Sequence, residues 1–554
     1  MEERRTGSVA AGKPKKSGGF LAQGSIYAAS GVISSLIGLV YRMPLTRIIG
    51  DEGNGYYAAA FNIYAIILLL SSYSLPLAVS KLISARVGAK NYRNAERILR
   101  ASLLYATVVG GIGCAAIFFG ADWLAGALLR IPEAAYPLRA LAPTVWIVSY
   151  LGVCRGYWQG QSTMVPTALS QIIEQILNAL VSVGAAYFLM KWAIAKGKEE
   201  SMARAFGATG GTIGTGVGAA SALLLFVVLF LLSGRHRARR ARLDVRHREE
   251  SYEEITRLLV LTVVPVILST AIYNVSGILD NALFGQAMYD LGRQSEIAKQ
   301  YGVYTGKYKL LLNVPIMIAN SLGSALVPAL SRAVGARRGE EVKRNITLAI
   351  RFSMVVAIPA AVGLGVMADP LIPLLFGKSE LAVHIMQLGC LSVVLYSLST
   401  VSNAILQGTN HMQVPVMHAA LSLGIHVLTL EVLLRIFELG IVGVVIADMV
   451  FALSMCILNA ASLHSLLHYR QEIRRSFFLP AFCAALMGLV TAGAKIFLKR
   501  FTGRVALYTL VPIFLAVAVY GALLLLTGAI RENELLRFPK GESLCRLARK
   551  LHLI

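Results

Sequence analysis

The chain has 554 residues, of which 56% are hydrophobic and 15% charged, and its formal net charge is +24. An aqueous fold of this size keeps its charged residues outside and cannot cover so much apolar surface. The Lys and Arg residues lie in short segments between apolar runs, which is typical of membrane topology signals rather than of nucleic-acid binding. We therefore predict an all-α, polytopic membrane protein that binds no nucleic acid.

Fourteen apolar runs are long enough to cross a membrane as helices. Stretches of about 18 or more apolar residues are the signature of such a span. The predicted spans are 20–46, 57–84, 98–119, 137–158, 167–190, 207–233, 257–283, 304–332, 347–367, 384–406, 415–435, 441–465, 477–498 and 505–529. The basic N-terminal segment 1–19 is predicted to be disordered and cytoplasmic. The run after it is too long for a signal-peptide core, so we expect it to remain as the first span.

Alternate connectors differ in their content of basic residues. The rich set comprises the connectors near 86–100, 234–256, 332–344 and 470–475, together with the tail 531–554. The positive-inside rule places these segments and both termini in the cytoplasm, which requires an even number of spans. The same segments are expected to contact anionic membrane lipids.

The chain contains an internal repeat. RGYWQGQSTMVP (155–166) is echoed by NAILQGTNHMQVP (403–415), and other segments match at nearly the same spacing. We predict an N-lobe of six spans at 20–233, a linker at 234–256, a C-lobe of six spans at 257–465 and two further spans within 466–530. Parallel helical lobes with a cleft between them suit transport by alternating access.

Basic residues lie inside two predicted spans. Ionisable side chains there are costly and usually face protein or water. If spans one and eight open the two lobes, Arg42 and Lys309 face each other across the cleft. Two cations suit an anionic substrate, because Arg binds phosphate bidentately and Lys acts as a point charge. Lys307 is a further candidate for binding the substrate headgroup, although it could instead snorkel to the lipid headgroups.

Carboxylates also lie within the spans. Asp280 either neutralises one of the cations or carries a coupling ion. Glu174, beside Gln171 in SQIIEQ, is equally compatible with a packing role and with a functional one. The histidines, including His418 and His426, are scattered and are expected in loops or at interfaces. The cysteines lack ligand spacing, so no metal site is predicted.

The sequence lacks the signals of an enzyme. The predicted outside loops around 196–204 and 289–300 contain no DxD or HxE, and the sequence has no Walker A lysine loop, so no cofactor is expected. The Gly-rich run GATGGTIGTGVG (207–218) lies inside the sixth span and is predicted to permit close helix packing. Energy would come from a Na⁺ or H⁺ gradient, the membrane potential or the gradient of the substrate itself.

Two segments carry a family resemblance. GYYAAAFNIYAIILLLSSYSLPLAVSKLIS (55–84) and RGYWQGQSTMVPTALSQIIEQI (155–176) resemble the stage V sporulation protein B-like polysaccharide transporters. This branch of the multidrug/oligosaccharidyl-lipid/polysaccharide (MOP) exporter superfamily is related to the MurJ lipid II flippases. The resemblance implies a MATE-like two-lobe fold. It also implies a central cavity lined by spans one, two, seven and eight, and a lipid-tail groove at spans thirteen and fourteen.

The implied function is translocation of an undecaprenyl-diphosphate-linked glycan, first of all lipid II, to the outer leaflet of the bacterial cell membrane. The resemblance places the diphosphate at basic positions to which Arg42 and Lys309 correspond. Ser35 stands where the flippases carry another basic residue, and the basic residue of span two is also missing. The cation set is therefore thinner than in those flippases. The repeated connectors would form the inner gate, with the candidate residues Arg155, Gln159, Asn403 and Gln407.

Three alternatives stay open from the sequence. The substrate could be another lipid-linked polysaccharide unit. A MATE-type exporter of cationic drugs could use Glu174 and Asp280, although Arg42 and Lys309 would repel such a substrate. A non-transporting scaffold could recruit cell-wall synthesis enzymes.

Overall fold

Every regular element in the described part of the chain is helical. The computed structural model describes residues 18–241, 244 and 249–529. The α-helices are α1 Gly18–Leu68, α2 Leu75–Gly88, α3 Tyr92–Trp123, α4 Ala135–Gly160, α5 Val165–Ala195, α6 Glu200–Ala241, α7 Tyr252–Asp290, α8 Gln294–Val303, α9 Leu310–Gly335, α10 Gly339–Phe376, α11 Glu380–Gly389, α12 Ser392–Gly408, α13 Gln413–Arg435, α14 Ile441–Leu467, α15 Leu479–Phe501 and α16 Val505–Leu526. Helices satisfy their backbone hydrogen bonds internally, as a lipid environment requires. The predicted N-terminal segment up to residue 17 and the tail 531–554 lie outside the described residues.

The helices confirm an integral, multi-pass membrane protein. Within the described ranges, eleven helical runs are long and apolar enough to cross a membrane, or twelve if the pair α11 and α12, bent by 49°, forms one span. The run Ala29–Gly88 contains most of α1, the π-helical turn Leu69–Tyr73 and α2, and α1 is itself broken at Gly50, where φ is 71° and ψ −176°. Glycine adopts this left-handed φ without steric cost. Because α7 adds a further helix of 39 residues, the arrangement is compatible with the fourteen predicted spans.

Close packing joins α5 to α6 through the Gly-rich run. A Cβ atom on Gly210 would lie 2.4 Å from the backbone carbon of Ala185, and one on Gly214 would lie 2.1 Å from Ser182 Oγ. Only glycine permits such an approach, which is the usual role of small residues between membrane helices. The predicted packing role of this run is confirmed.

The last two helices pack on the side of α10. Tyr520 in α16 donates a hydrogen bond to the carbonyl oxygen of Val355 at 2.9 Å. Lys495 in α15 places Nζ 2.8 Å from both Asp369 Oδ1 and the carbonyl oxygen of Val366. A polar anchor therefore holds α15 and α16 to the rest of the bundle.

Successive helices run back and forth, so the connectors gather at two ends of the molecule. We call the end with the connectors 89–91, 161–164, 336–338 and 409–412 the basic end. The other end, near Gly50 and 291–293, is the opposite end. At the opposite end, a Cβ atom on Gly302 would lie 1.7 Å from the carbonyl oxygen of Asp51, and one on Gly55 would lie 1.9 Å from that of Ala298. Backbone therefore touches backbone between α1 and α8, and the two halves are closed against each other there.

Further polar contacts tie the halves together near the opposite end. Asn62 Nδ2 donates to Tyr301 Oη at 2.8 Å. Arg130 Nε donates to Gln286 Oε1 at 3.0 Å, and its guanidinium lies 4.1 Å from the ring centroid of Tyr289.

At the basic end, the segment before α7 is bound to the first half. Arg86 makes two hydrogen bonds to the Glu250 carboxylate, at 3.1 and 2.9 Å. The backbone N–H of Glu250 donates to Asn94 Oδ1 at 3.0 Å. The first turns of α7 also bury Ile255 and Leu259 in an apolar cluster with α2 and α3.

Candidate functional site

A cavity of about 480 Å³ lies between the two halves. Its lining comes from α1, α5, α6 and α9: Ser34, Ser35, Gly38, Leu39, Tyr41, Arg42, Phe61, Gln175, Asn178, Thr215, Leu310, Asn313, Val314 and Met317. The exposed polar side chains Asn313, Asn320, Ser321 and Ser324 continue along α9 toward the basic end. The cleft therefore combines polar and apolar side chains and continues toward the basic end, while the contacts of α1 with α8 close the other end.

Arg42 supplies a positive charge to this cavity. Its guanidinium carbon lies 5.2 Å from the ring centroid of Tyr57 and 5.9 Å from that of Phe61, so aromatic faces support the charge. Among the described residues, no carboxylate oxygen lies within 4.0 Å of it. Arg42 sits about 12 Å along the helix axis from Gly50, deep in the cleft. Its charge is therefore available to a ligand.

Ser35 lies in the same cavity. It precedes Arg42 by two helical turns, so both side chains lie on one face of α1. Ser35 is exposed and lines the cavity with a hydroxyl group rather than with the basic group expected from the resemblance.

Lys307 and Lys309 lie in the π-helical turn Tyr304–Lys309, between α8 and α9. Lys307 Nζ is 2.6 Å from Asp51 Oδ1, and the residue is only 3% exposed. The snorkelling alternative for Lys307 is therefore wrong, because a buried ion pair with the first half holds its ammonium group. Lys309 Nζ lies 3.4 Å from Asp448 Oδ2 and 4.6 Å from the ring centroid of Tyr304.

The geometry thus differs from the predicted pair of facing cations. Arg42 lines the cavity, and so does Leu310, the residue after Lys309. The ammonium group of Lys309, however, contacts α14. The Lys309 side chain is 36% exposed, so the protein encloses it only in part.

A buried group, which we call the acid–histidine cluster, consists of Asp280 on α7, His426 on α13 and Asp448 on α14. One ligand atom from each residue lies within 4.8 Å of the others. His426 Nε2 is 2.5 Å from Asp280 Oδ1, and His426 Nδ1 is 2.9 Å from the carbonyl oxygen of Ala447. Asp280 and His426 are each 1% exposed and Asp448 5%.

The spacing of the cluster raises the question of a metal ion. Two ligands on one tetrahedral ion lie roughly 3.3 Å apart when each bond is about 2.0–2.1 Å. The 2.5 Å contact between His426 Nε2 and Asp280 Oδ1 is shorter, and His426 Nδ1 already faces a carbonyl oxygen. As arranged, His426 and Asp280 form a hydrogen-bonded pair with Asp448 nearby, and this geometry is not that of a metal centre.

Asp448 is surrounded by donors. Tyr304 donates a short hydrogen bond to Oδ2, and Tyr396 donates to Oδ1 at 3.3 Å. With Lys309, three donors from two separate elements converge on this carboxylate. Such saturation is what a buried carboxylate requires.

The sequence interpretation missed His426. It expected histidines in loops or at interfaces, but His418 and His426 are buried inside α13, at 8% and 1% exposure. The available signal was their spacing of eight residues within an uncharged apolar run, which places them on one helix face. A titratable residue inside a span is by default a functional candidate.

The SQIIEQ residues and the repeated connectors are bonded within their own halves. Arg155 Nη2 is 2.6 Å from Glu174 Oε2, and Arg155 Nε donates to Ser170 Oγ at 3.1 Å. Gln171 Oε1 accepts a hydrogen bond from Ser30 Oγ at 3.0 Å. Glu174 therefore occupies an ion pair between α4 and α5.

The remaining gate candidates are Gln159, Asn403 and Gln407. Asn403 Oδ1 accepts from Asn459 Nδ2 at 2.8 Å, within the second half. Gln159 is half-buried and Gln407 exposed. Within the described ranges, no hydrogen bond joins one connector to the other.

This helical bundle, with a cavity shared between its halves, has the fold of MATE-type membrane transporters. A multidrug resistance MATE family transporter of the MOP superfamily, solved in an inward-facing conformation, is similar at a TM-score of 0.63 and 17% identity, over 78% of this chain and 95% of that one. Lipid II flippase MurJ in an inward closed conformation is similar at a TM-score of 0.65 and 14% identity, over 90% and 97%. The predicted fold class is confirmed.

The chain belongs to the polysaccharide biosynthesis protein family, whose model matches residues 20–334. The MatE model matches residues 309–430. Stage V sporulation protein B of Bacillus subtilis (strain 168) is 28% identical over 94% of this chain and 98% of its own length. Lipid II flippase MurJ of the same organism is 24% identical over 68% and 70%. The predicted family is confirmed.

Proposed function

We propose that this protein is a flippase for an undecaprenyl-diphosphate-linked glycan, with lipid II as the first candidate. The observation that carries the proposal is the guanidinium of Arg42. It faces a cavity lined by both halves, and no described carboxylate lies within 4.0 Å of it. A cation so placed suits a phosphate-bearing headgroup, which it can bind through two parallel hydrogen bonds. Likeness to a protein named as a lipid II flippase supports the same substrate class.

Translocation would proceed by alternating access. The positive-inside rule assigns the basic end to the cytoplasm, so the cleft would face the leaflet in which the substrate is made. The headgroup enters between α1 and α9, while its polyprenyl chain stays in lipid. Arg42 offsets the cost of removing water from the diphosphate. Release follows when the contacts between α1 and α8 separate and the basic end closes.

The charge pattern favours an anionic substrate over a cationic drug. Arg155 neutralises Glu174, and the acid–histidine cluster engages Asp280. Neither carboxylate is presented to the cavity without a partner, whereas Arg42 is. A cationic drug would meet repulsion at this position.

Complementation in cells tests the proposal. The resident lipid II flippase is depleted, this protein is expressed, and an external probe that cleaves lipid II reports on the outer leaflet. We expect the product to return with the unaltered chain and to be lost with Arg42→Glu. Lys299→Glu is the matched control, because Lys299 is an exposed residue of α8 that does not line the cavity.

Two outcomes would count against the proposal in different ways. If the chain reaches the membrane but lipid II stays inside, while another polyprenyl-diphosphate glycan appears outside, lipid II is the wrong substrate. If Arg42→Glu and the unaltered chain export equally well, the cation has no role and the proposed site fails. A non-transporting scaffold that recruits cell-wall enzymes would return no external product with either chain.

A further inference from the structure

We propose that the acid–histidine cluster is a proton-binding site, and that its proton controls whether Lys309 is held by Asp448 or released to the substrate cavity. The proposal deepens the flippase function and rests on it for the identity of the ligand. The coupled ion would then be H⁺ rather than Na⁺.

The hydrogen bonds of His426 indicate how many hydrogens lie on its imidazole and on the Asp280 carboxyl group. A carbonyl oxygen can only accept, so the contact at 2.9 Å with Ala447 requires a hydrogen on Nδ1. At 2.5 Å, His426 Nε2 and Asp280 Oδ1 would repel each other through their lone pairs unless one hydrogen lay between them. The pair is therefore either imidazolium with carboxylate or imidazole with carboxylic acid. Both descriptions contain the same added proton, and the pair is neutral in each.

The net charge of the groups around the pair depends on whether this proton is bound. The groups facing the pair are Asp448 from α14, Tyr396 from α12, and Tyr304 and Lys309 from the π-helical turn. Tyr301 of α8 lies behind Tyr304, with ring centroids 5.7 Å apart. Asp448 and Lys309 cancel, so the proton-loaded cluster has no net charge. Loss of the proton leaves one uncompensated negative charge in a buried site, with Lys309 as the cation in contact with it.

Lys309 links this cluster to the cavity. Its Nζ is 3.4 Å from Asp448, its side chain is 36% exposed, and the next residue, Leu310, lines the cavity. When the cluster loses its proton, the extra negative charge strengthens the hold on Lys309. When the proton is bound, the hold is weaker and a diphosphate in the cavity can compete for the ammonium group. By linkage, diphosphate binding must equally favour proton binding.

The site can be tested apart from transport. Purified protein in lipid nanodiscs is labelled with ¹⁵N-histidine, and the imidazole signals are followed over pH without any ligand. We expect one histidine to titrate together with a carboxylate, and its signal to vanish in His426→Gln. His418→Asn is the matched control. His418 is also buried in α13, but it is bonded to Asn459 and Ser462 rather than to a carboxylate.

Binding of undecaprenyl diphosphate to the same nanodiscs tests the link to Lys309. We expect affinity to fall by up to about tenfold per pH unit above the midpoint of the titration, as one linked proton allows. His426→Gln should abolish this dependence, His418→Asn should keep it, and exchange of Na⁺ for choline should change nothing.

The outcomes separate the two proposals. A His426 signal that does not titrate, or affinity that follows Na⁺ at constant pH, overturns the proton site. A His426 that titrates in nanodiscs that bind no undecaprenyl diphosphate contradicts the proposed function but leaves the proton site standing. Should His426→Gln fail to fold, Lys309→Met provides a second variant. It should retain the titration and lose the pH dependence of binding.

Discussion

Asp51 and Lys307 form a buried ion pair of 2.6 Å that joins α1 to the π-helical turn before α9. The pair lies beside the close approach of Gly302 to the carbonyl oxygen of Asp51. One carboxylate residue thus contributes both its side chain and its backbone to the contact that closes the opposite end. Opening at that end must break the pair.

Asp51→Asn should destabilise this closed form. The substitution leaves the ammonium group of Lys307 buried without a counter-charge, which typically costs about 3–5 kcal/mol. Thermal unfolding in detergent should show a clear loss. Spin labels on α1 and α8 should report a larger population with the opposite end open. Asp122→Asn is the control, because its pair with Arg139 is exposed and should change stability by less than about 1 kcal/mol. Equal effects of the two variants would show that the Asp51 pair has no special role.

Gly302→Ala should prevent closure at the opposite end. The added Cβ would lie 1.7 Å from the carbonyl oxygen of Asp51, and backbone cannot yield as a flexible side chain can. We expect flipping activity to be lost while the protein still inserts in the membrane. Gly88→Ala adds the same atom where nothing lies within 4 Å and should retain activity. Normal activity of Gly302→Ala would mean that this contact is not part of the cycle.

The Arg155–Glu174 pair should prove structural. Glu174→Gln leaves Arg155 without its charge partner between α4 and α5 and should lower stability by about 3 kcal/mol. A double variant with Met at Arg155 and Leu at Glu174 should recover most of that loss, because apolar replacements of both partners are often neutral. Recovery of stability together with transport supports a packing role. Stability without transport would show that at least one of the two charged groups acts in the cycle.

Ser35→Arg should strengthen binding of a diphosphate lipid. The new guanidinium would lie two turns from Arg42 on the same face of α1, in the same cavity. A gain of about 1 kcal/mol corresponds to roughly fivefold tighter binding of undecaprenyl diphosphate. Leu36→Arg adds the same charge at an exposed neighbour that does not line the cavity. Equal gains in both variants would indicate general attraction rather than a headgroup site.

Local sequence patterns were sufficient for the helices and the family. A long apolar run is enough to predict a span. The number of glycines in α6 is enough to predict close helix packing. Arg42 could be assigned to the cleft because a charge inside a span must face protein or water. These inferences use residues that are near one another in the chain.

Partner identities could not be read in this way. Lys307 pairs with Asp51, and Lys309 pairs with Asp448. Both carboxylates are distant from the lysines in the sequence and reach them only through the packing of α1 and α14. His426 had no neighbour in the chain to mark it, because its carboxylate partner comes from α7. Pairings across helices depend on rotation and register, which the composition of one helix does not determine.

The bonds that tie the start of α7 to α2 and α3 have a consequence for motion. By sequence α7 opens the second copy of the repeat, yet its first turns are anchored to the first copy through Glu250, Ile255 and Leu259. Its later part packs against α13 and α14 and carries Asp280. The unit of gene duplication and the unit of rigid-body movement therefore do not coincide. Any rocking of the halves must be absorbed along α7 itself, upstream of Asp280.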